Sequence, residues 1–89
     1  MNTLWPQWQT RDDGLHIAMG FANFDAVQGF VTELMAWAQR NDHHPEVSFG
    51  YAQATVRWFS HDAGAITERD QRAARATQQL MTTWGATVS

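Results

Sequence analysis

The sequence predicts an α+β domain: an antiparallel sheet with helices packed on one face. Two periodicities lead to this reading. Apolar residues alternate with a period of two through 15–21 and again through 47–58, as in strands with one buried face. They recur every three to four positions through 27–38 and 73–84, as along one side of a helix. The order of strand, helix, hairpin and helix is that of a sheet whose strands pair antiparallel while both helices cover one side. Residues 1–89 are read as one domain, because no linker, repeat or low-complexity tract interrupts them.

Taken along the chain, Leu15, Ile17, Met19 and Phe21 alternate with His16, Ala18 and Gly20 and define a strand over 15–21. Asp12-Asp13-Gly14 is a turn signal before it, and Trp8-Gln9-Thr10 is its expected short partner. Asn23 is placed to cap a helix that starts at Phe24 and carries Val27, Phe30, Val31, Leu34, Met35, Trp37 and Ala38. Asn41-Asp42 and Pro45 end that helix, since the residue before a proline is pushed out of the α region. Val47, Phe49 and Tyr51 then alternate with Ser48 and Gly50. After Ala52-Gln53, Val56 and Trp58 alternate with Thr55, Arg57 and Phe59, which completes a second hairpin. Thr67-Glu68-Arg69-Asp70 has the form of a capping box for a second helix. That helix carries Ala73, Ala74, Thr77, Leu80, Met81 and Trp84, and Gly85 is placed to stop it.

A domain of 89 residues buries only about 60–65% of the surface of its unfolded chain. Five Trp, five Phe and one Tyr offset that thin core with bulk. The helical stripes Phe30-Leu34-Trp37 and Ala73-Leu80-Met81 exceed what one small sheet is expected to cover, which predicts a homodimer or homotetramer. Six arginines, no lysine and nine acids leave a net charge of −3 and no basic stripe, so nucleic acid is not an expected ligand. Without cysteine there is neither a disulfide framework nor a thiolate metal site, and the reducing cytoplasm is the expected compartment. Residues 1–6 show no basic n-region, and no segment approaches the roughly 20 apolar residues that span a bilayer, so neither secretion nor membrane insertion is expected.

Three of the four histidines flank the second hairpin, His43 and His44 together before it and His61 near its end. Pro45 biases His44 toward an extended conformation, and adjacent extended residues point opposite ways. One of the pair should therefore face the body of the domain and the other a cleft or solvent. A hairpin that begins after Pro45 returns its second strand to the level of its start, which brings His61 back toward the pair. Imidazole both takes and gives a proton near neutral pH. The plain alternative is three unrelated surface or core-edge histidines. Zinc is a sharper rival, but adjacent histidines do not readily converge on one ion and the i, i+4 helical spacing is missing. No nucleophile motif surrounds Ser48 or Ser60, and no Gly-rich phosphate loop is present. Asp70 reads first as the acid of a capping box, and His16 as an outward residue of its strand.

In order, Asp42-His43-His44-Pro45-Glu46, Tyr51, Ser60-His61-Asp62 and Thr67-Glu68-Arg69-Asp70 resemble the signature of the pterin-4α-carbinolamine dehydratase family. Phe21-Ala22-Asn23-Phe24 resembles that family's Phe-x-Asp-Phe segment, so the resemblance runs from about Trp8 to Leu80. It implies that His43, His44 and His61 are catalytic, with His61 and His43 as an acid/base pair in either order and His44 in binding or orientation. By the same resemblance Trp8 and Asp70 lie at the substrate.

The reaction so implied is loss of water from a 4a-hydroxytetrahydropterin to give quinonoid dihydropterin, with no metal or organic cofactor. The implied assembly is a dimer or tetramer formed through the helices, and an aromatic amino acid hydroxylase is the implied source of substrate. Some members of the family act instead as dimerisation cofactors, which gives the alternative of a non-catalytic interaction module. Three departures from the family pattern are read. Gln39 stands where a glutamate is usual, Ser60 replaces a threonine, and no counterpart of the amino-terminal helix of longer members is expected. The amide of Gln39 cannot raise a neighbouring histidine's pKa by charge.

Overall fold

Alternation along the two longest strands decides which way the sheet faces. In the computed structural model, which describes residues 7–89, these strands are β2 (Gly14–Gly20) and β4 (Gln53–Trp58). They pair antiparallel with Leu15 opposite Trp58, Ile17 opposite Val56 and Met19 opposite Ala54, and all six of these residues are buried. The intervening pairs His16–Arg57 and Ala18–Thr55 point to the opposite face. Residues 1–6, read above for a targeting signal, lie outside the described residues.

Around that pair the remaining elements are β1 (Gln9–Arg11), α1 (Phe24–Asn41), β3 (Glu46–Phe49), α2 (Glu68–Thr83) and β5 (Thr87–Val88). The sheet runs β1-β2-β4-β3, antiparallel at every pairing, and β5 lies against β2 beyond the end of β1. Both helices press on the inner face. Val27, Phe30, Val31, Leu34 and Ala38 of α1 join Ala73, Ala74 and Met81 of α2 in one core with the six sheet residues. The predicted class, an α+β fold on an antiparallel sheet, is the observed one.

The caps follow local chemistry. Asn23 accepts a hydrogen bond from the Ala26 amide at 3.0 Å and starts α1. Thr67 and Asp70 form the reciprocal box at the start of α2, and Gly85, at φ 70°, follows its end. Gly14 is required at its turn, because a Cβ there would lie 2.4 Å from the Trp58 carbonyl oxygen.

Several boundaries differ from expectation. The first strand is Gln9–Arg11 rather than 8–10, because Trp8 turns into the core and is 3% exposed. The second hairpin turns at Gly50, whose amide donates to the Gln53 carbonyl at 2.9 Å, so Tyr51 lies in the turn and not in a strand. Its ring instead stacks on Phe24 at a centroid distance of 6.3 Å. The two-residue β5 was not expected, since so short a segment shows no period. The helical stripes also need correction: Phe30, Leu34 and Ala73 are fully buried within the single chain and Met81 nearly so, which leaves only Trp37 and Leu80 half-covered. Centring both helices over the two inner strands is what covers them.

Candidate active site

The site begins where α1 ends. Asp42 adopts a left-handed conformation, φ 51°, and reverses the chain so that the His43 amide bonds back to the Ala38 carbonyl at 3.2 Å. That turn sends His43 inward and His44 outward. His43 is 7% exposed and lies against the buried Trp58 ring, with centroids 5.2 Å apart and planes 27° from parallel. Its Nε2 is 2.7 Å from Asp70 Oδ1. His44 stays exposed, with Nε2 3.3 Å from Gln39 Oε1.

Asp70 is fully buried and spends each oxygen. Oδ1 faces His43, while Oδ2 accepts from the Ser60 hydroxyl and from the Thr67 amide, both at 2.8 Å. Burying a carboxylate without such partners would cost several kcal/mol, roughly, so the three contacts account for its place in the core. Asp70 thus serves both the capping box and the histidine, and the two readings of it from sequence are not exclusive.

His61 follows Ser60 directly and is exposed, its ring set edge-on to Phe59 at 5.1 Å. The turn that carries it is closed by the Gly64 amide on the Ser60 carbonyl at 2.9 Å. Asp62, beside His61, is bonded to Arg69, and that hydrogen bond holds its carboxyl below the usual range. In the β1–β2 turn, at the same end of the sheet, a hydrogen bond from His16 lowers Asp13 in the same way.

The structure therefore joins His43 to Asp70 directly, and Asp70 to Ser60, the residue before His61. His44 and His61 make no hydrogen bond to either, among the described residues. Trp8 is placed in the core rather than as an open stacking surface, and its Nε1 is buried without a hydrogen-bond partner among the described residues. Two residues went unsingled in the sequence. Trp58 reads from sequence as a strand residue, and Ser60 as a signature position without a nucleophile motif, although both share the inward parity of Ala54 and Val56. No group of three or more His, Asp or Glu side chains among the described residues has the arrangement of a metal site.

The matching family model, pterin 4 alpha carbinolamine dehydratase, spans residues 1–80. The chain belongs to this family. A relative from Picosynechococcus sp. is 34% identical over 76 residues, 85% of this chain and 83% of its own length. One from Novosphingobium aromaticivorans is 36% identical over 78 residues, 85% of this chain and 81% of its own. Both carry the name "Putative pterin-4-alpha-carbinolamine dehydratase". Among solved structures, a transcriptional coactivator/pterin dehydratase from Brucella melitensis superposes with a TM-score of 0.79 at 28% identity, over 83% of this chain and 81% of that one. A pterin dehydratase-like protein described as a RuBisCO assembly factor shares the fold, with a TM-score of 0.69 at 18% identity over 82% and 84% of the two chains. Of the residues that carry the resemblance in sequence, His43, Ser60, Thr67 and Asp70 are drawn by the fold into one hydrogen-bonded cluster.

Proposed function

We propose that this chain catalyses loss of water from a 4a-hydroxytetrahydropterin, giving quinonoid dihydropterin in the recycling of a tetrahydrobiopterin-type cofactor. The observation that carries the reading is the buried His43–Asp70 contact of 2.7 Å, with His61 one residue from the Ser60 hydroxyl that completes it. In the reaction the C4a–O bond breaks as a proton reaches the departing hydroxyl. The electron pair of a ring N–H becomes the new C=N bond as its proton is taken. Such an elimination uses one general acid and one general base. His61 and His43 fill those roles and His44 binds or orients the pterin, while the buried Asp70 reaches the substrate site only through His43 and Trp8 stays in the core.

The reading includes a cytoplasmic enzyme supplied by an aromatic amino acid hydroxylase and assembled as a homodimer or homotetramer. Support for assembly comes from a groove of about 340 Å³ between the helices, lined by Trp37, Arg40, Gln79 and Leu80. Met35, 60% exposed, adds apolar surface on α1. No helix among the described residues is long and apolar enough to cross a membrane.

The test is the decay of freshly made 4a-hydroxytetrahydropterin with and without protein. Acceleration that scales with protein concentration is the expected result. A wild-type chain that gives none would replace this reading with the interaction module, a role in keeping with the transcriptional coactivator/pterin dehydratase from Brucella melitensis.

A further inference from the structure

Hydrogen-bond direction around Asp70 can be worked out donor by donor, starting from groups that have no choice. The Thr67 amide can only donate, so Asp70 Oδ2, 2.8 Å away, accepts. The Arg69 amide likewise donates to Thr67 Oγ1 at 3.2 Å. Thr67 Oγ1 and Ser60 Oγ lie 2.7 Å apart, and each hydroxyl has one proton. Ser60 Oγ is also 2.8 Å from Asp70 Oδ2. One arrangement satisfies every contact with Asp70 as a carboxylate: Thr67 donates to Ser60, and Ser60 donates to Oδ2. The remaining oxygen, Oδ1, can then only accept from His43 Nε2 at 2.7 Å.

We infer that the Thr67–Ser60–Asp70 chain is a positioning device that holds neutral His43 as its Nε2–H tautomer and leaves Nδ1 as the nitrogen that exchanges a proton with substrate. This rests on the dehydratase reading for its chemistry, though not for the tautomer. Nδ1 has no hydrogen-bond partner among the described residues, and it is not sealed from solvent, since the one buried side-chain nitrogen or oxygen without a partner among them is Trp8 Nε1. Trp58 packs on the ring face and Asp70 anchors its far edge, so the ring is held at two points. Ser60 and Thr67 are positioning residues: they act through Asp70, and Asp70 through His43.

The same directions state what an amide would do in place of the carboxylate. In Asp70→Asn the Thr67 amide still requires an oxygen at the Oδ2 position, which places the NH2 group where Oδ1 was. That group donates to Nε2, and His43 must take its proton on Nδ1, the wrong nitrogen for the reaction. A comparable reversal behind a catalytic histidine, with the geometry kept, costs serine proteases about 10⁴-fold in kcat.

The experiment is a long-range ¹H–¹⁵N correlation on the uniformly labelled full chain without substrate, on the alkaline side of imidazole titration, where protonated and bare ring nitrogens separate. Wild type and Ser60→Thr should show His43 protonated on Nε2, and Asp70→Asn should show it on Nδ1. In the dehydration assay Asp70→Asn should lose roughly 10²–10⁴-fold in kcat with little change in KM, while His16→Ala, outside the cluster, stays near wild type. A wild-type His43 protonated on Nδ1 would overturn the inference, as would an Asp70→Asn protein that keeps the Nε2 proton. If Asp70→Asn fails to fold, the wild-type spectrum alone decides. Because the tautomer is read without substrate, a wild type with no dehydratase activity but an Nε2 proton would sink the enzyme reading and leave the assignment standing.

Discussion

Trp58 lies against His43 with ring centroids 5.2 Å apart, and its own Nε1 donates to Thr77 Oγ1 at 2.9 Å. The indole that backs the histidine is thereby tied to the middle of α2. Thr77→Val keeps the side-chain shape and removes the only acceptor of that buried N–H among the described residues. The expected loss is about 1–3 kcal/mol, with Tm lower by about 4–8 °C for each kcal/mol in a domain of this size. A Thr77→Val melting curve that overlays wild type would show that the indole finds another partner.

His61→Ala should slow dehydration by roughly 10²–10⁴-fold, the usual worth of one positioned acid or base. The exposed ring touches Phe59 only edge-on, so the circular dichroism spectrum should be unchanged. His16→Ala is the control, since His16 bonds Asp13 on the outer face of the sheet, and its rate should change by less than about threefold. Near wild-type activity in His61→Ala would refute its role as acid or base.

Gln39→Glu places a carboxylate where the amide now meets His44 Nε2 at 3.3 Å. A negative partner favours imidazolium, so the His44 pKa should rise in the variant. The pair stabilises only while the new carboxylate is ionised and the imidazole protonated, so any gain fades as pH climbs through the imidazole titration and also as it falls through the carboxylate's, and for two exposed groups it is about 0.2–1 kcal/mol. The alkaline limb of the pH–rate profile should move upward, alongside the His44 Cε1–H titration by NMR. If the NMR titration moves and the rate profile does not, His44 is uncoupled from the chemistry.

Gly29 sits inside α1, where alanine would ordinarily gain about 1 kcal/mol in helix propensity. Here a Cβ would come within 2.3 Å of the Trp84 ring, whose Nε1 donates to Glu33 Oε2 at 2.8 Å. Gly29→Ala should therefore displace that ring and cost about 1–3 kcal/mol net. Thermal melting and tryptophan fluorescence report both effects, and a raised Tm would mean the indole relocates freely.

Light scattering at micromolar concentrations should show a homodimer or homotetramer rather than a 10.1 kDa monomer. If assembly uses the groove beside Trp37 and Leu80, Leu80→Glu should shift the population toward monomer. A monomer at every concentration would remove helix-mediated assembly from the reading.

The sequence by itself determined what depends on near neighbours. The inward faces of β2 and β4, the Asn23 and Thr67 caps and the stop at Gly85 each arise from side chains within a few residues, so periodicity and capping chemistry reveal them. Pro45 likewise implied that His43 and His44 would point apart. Only the tertiary structure decided which of them turned inward, because that choice belongs to the left-handed Asp42 and to a Trp58 ring waiting on another strand. The same holds for Trp8, drawn off its strand into the core, and for β5, which exists only where β2 offers it an edge. His43 and Asp70 are 27 positions apart, and nothing local to either records the other. A carboxylate buried at the start of α2 must find its donors wherever the packed chain supplies them, and packing supplied Ser60 and His43.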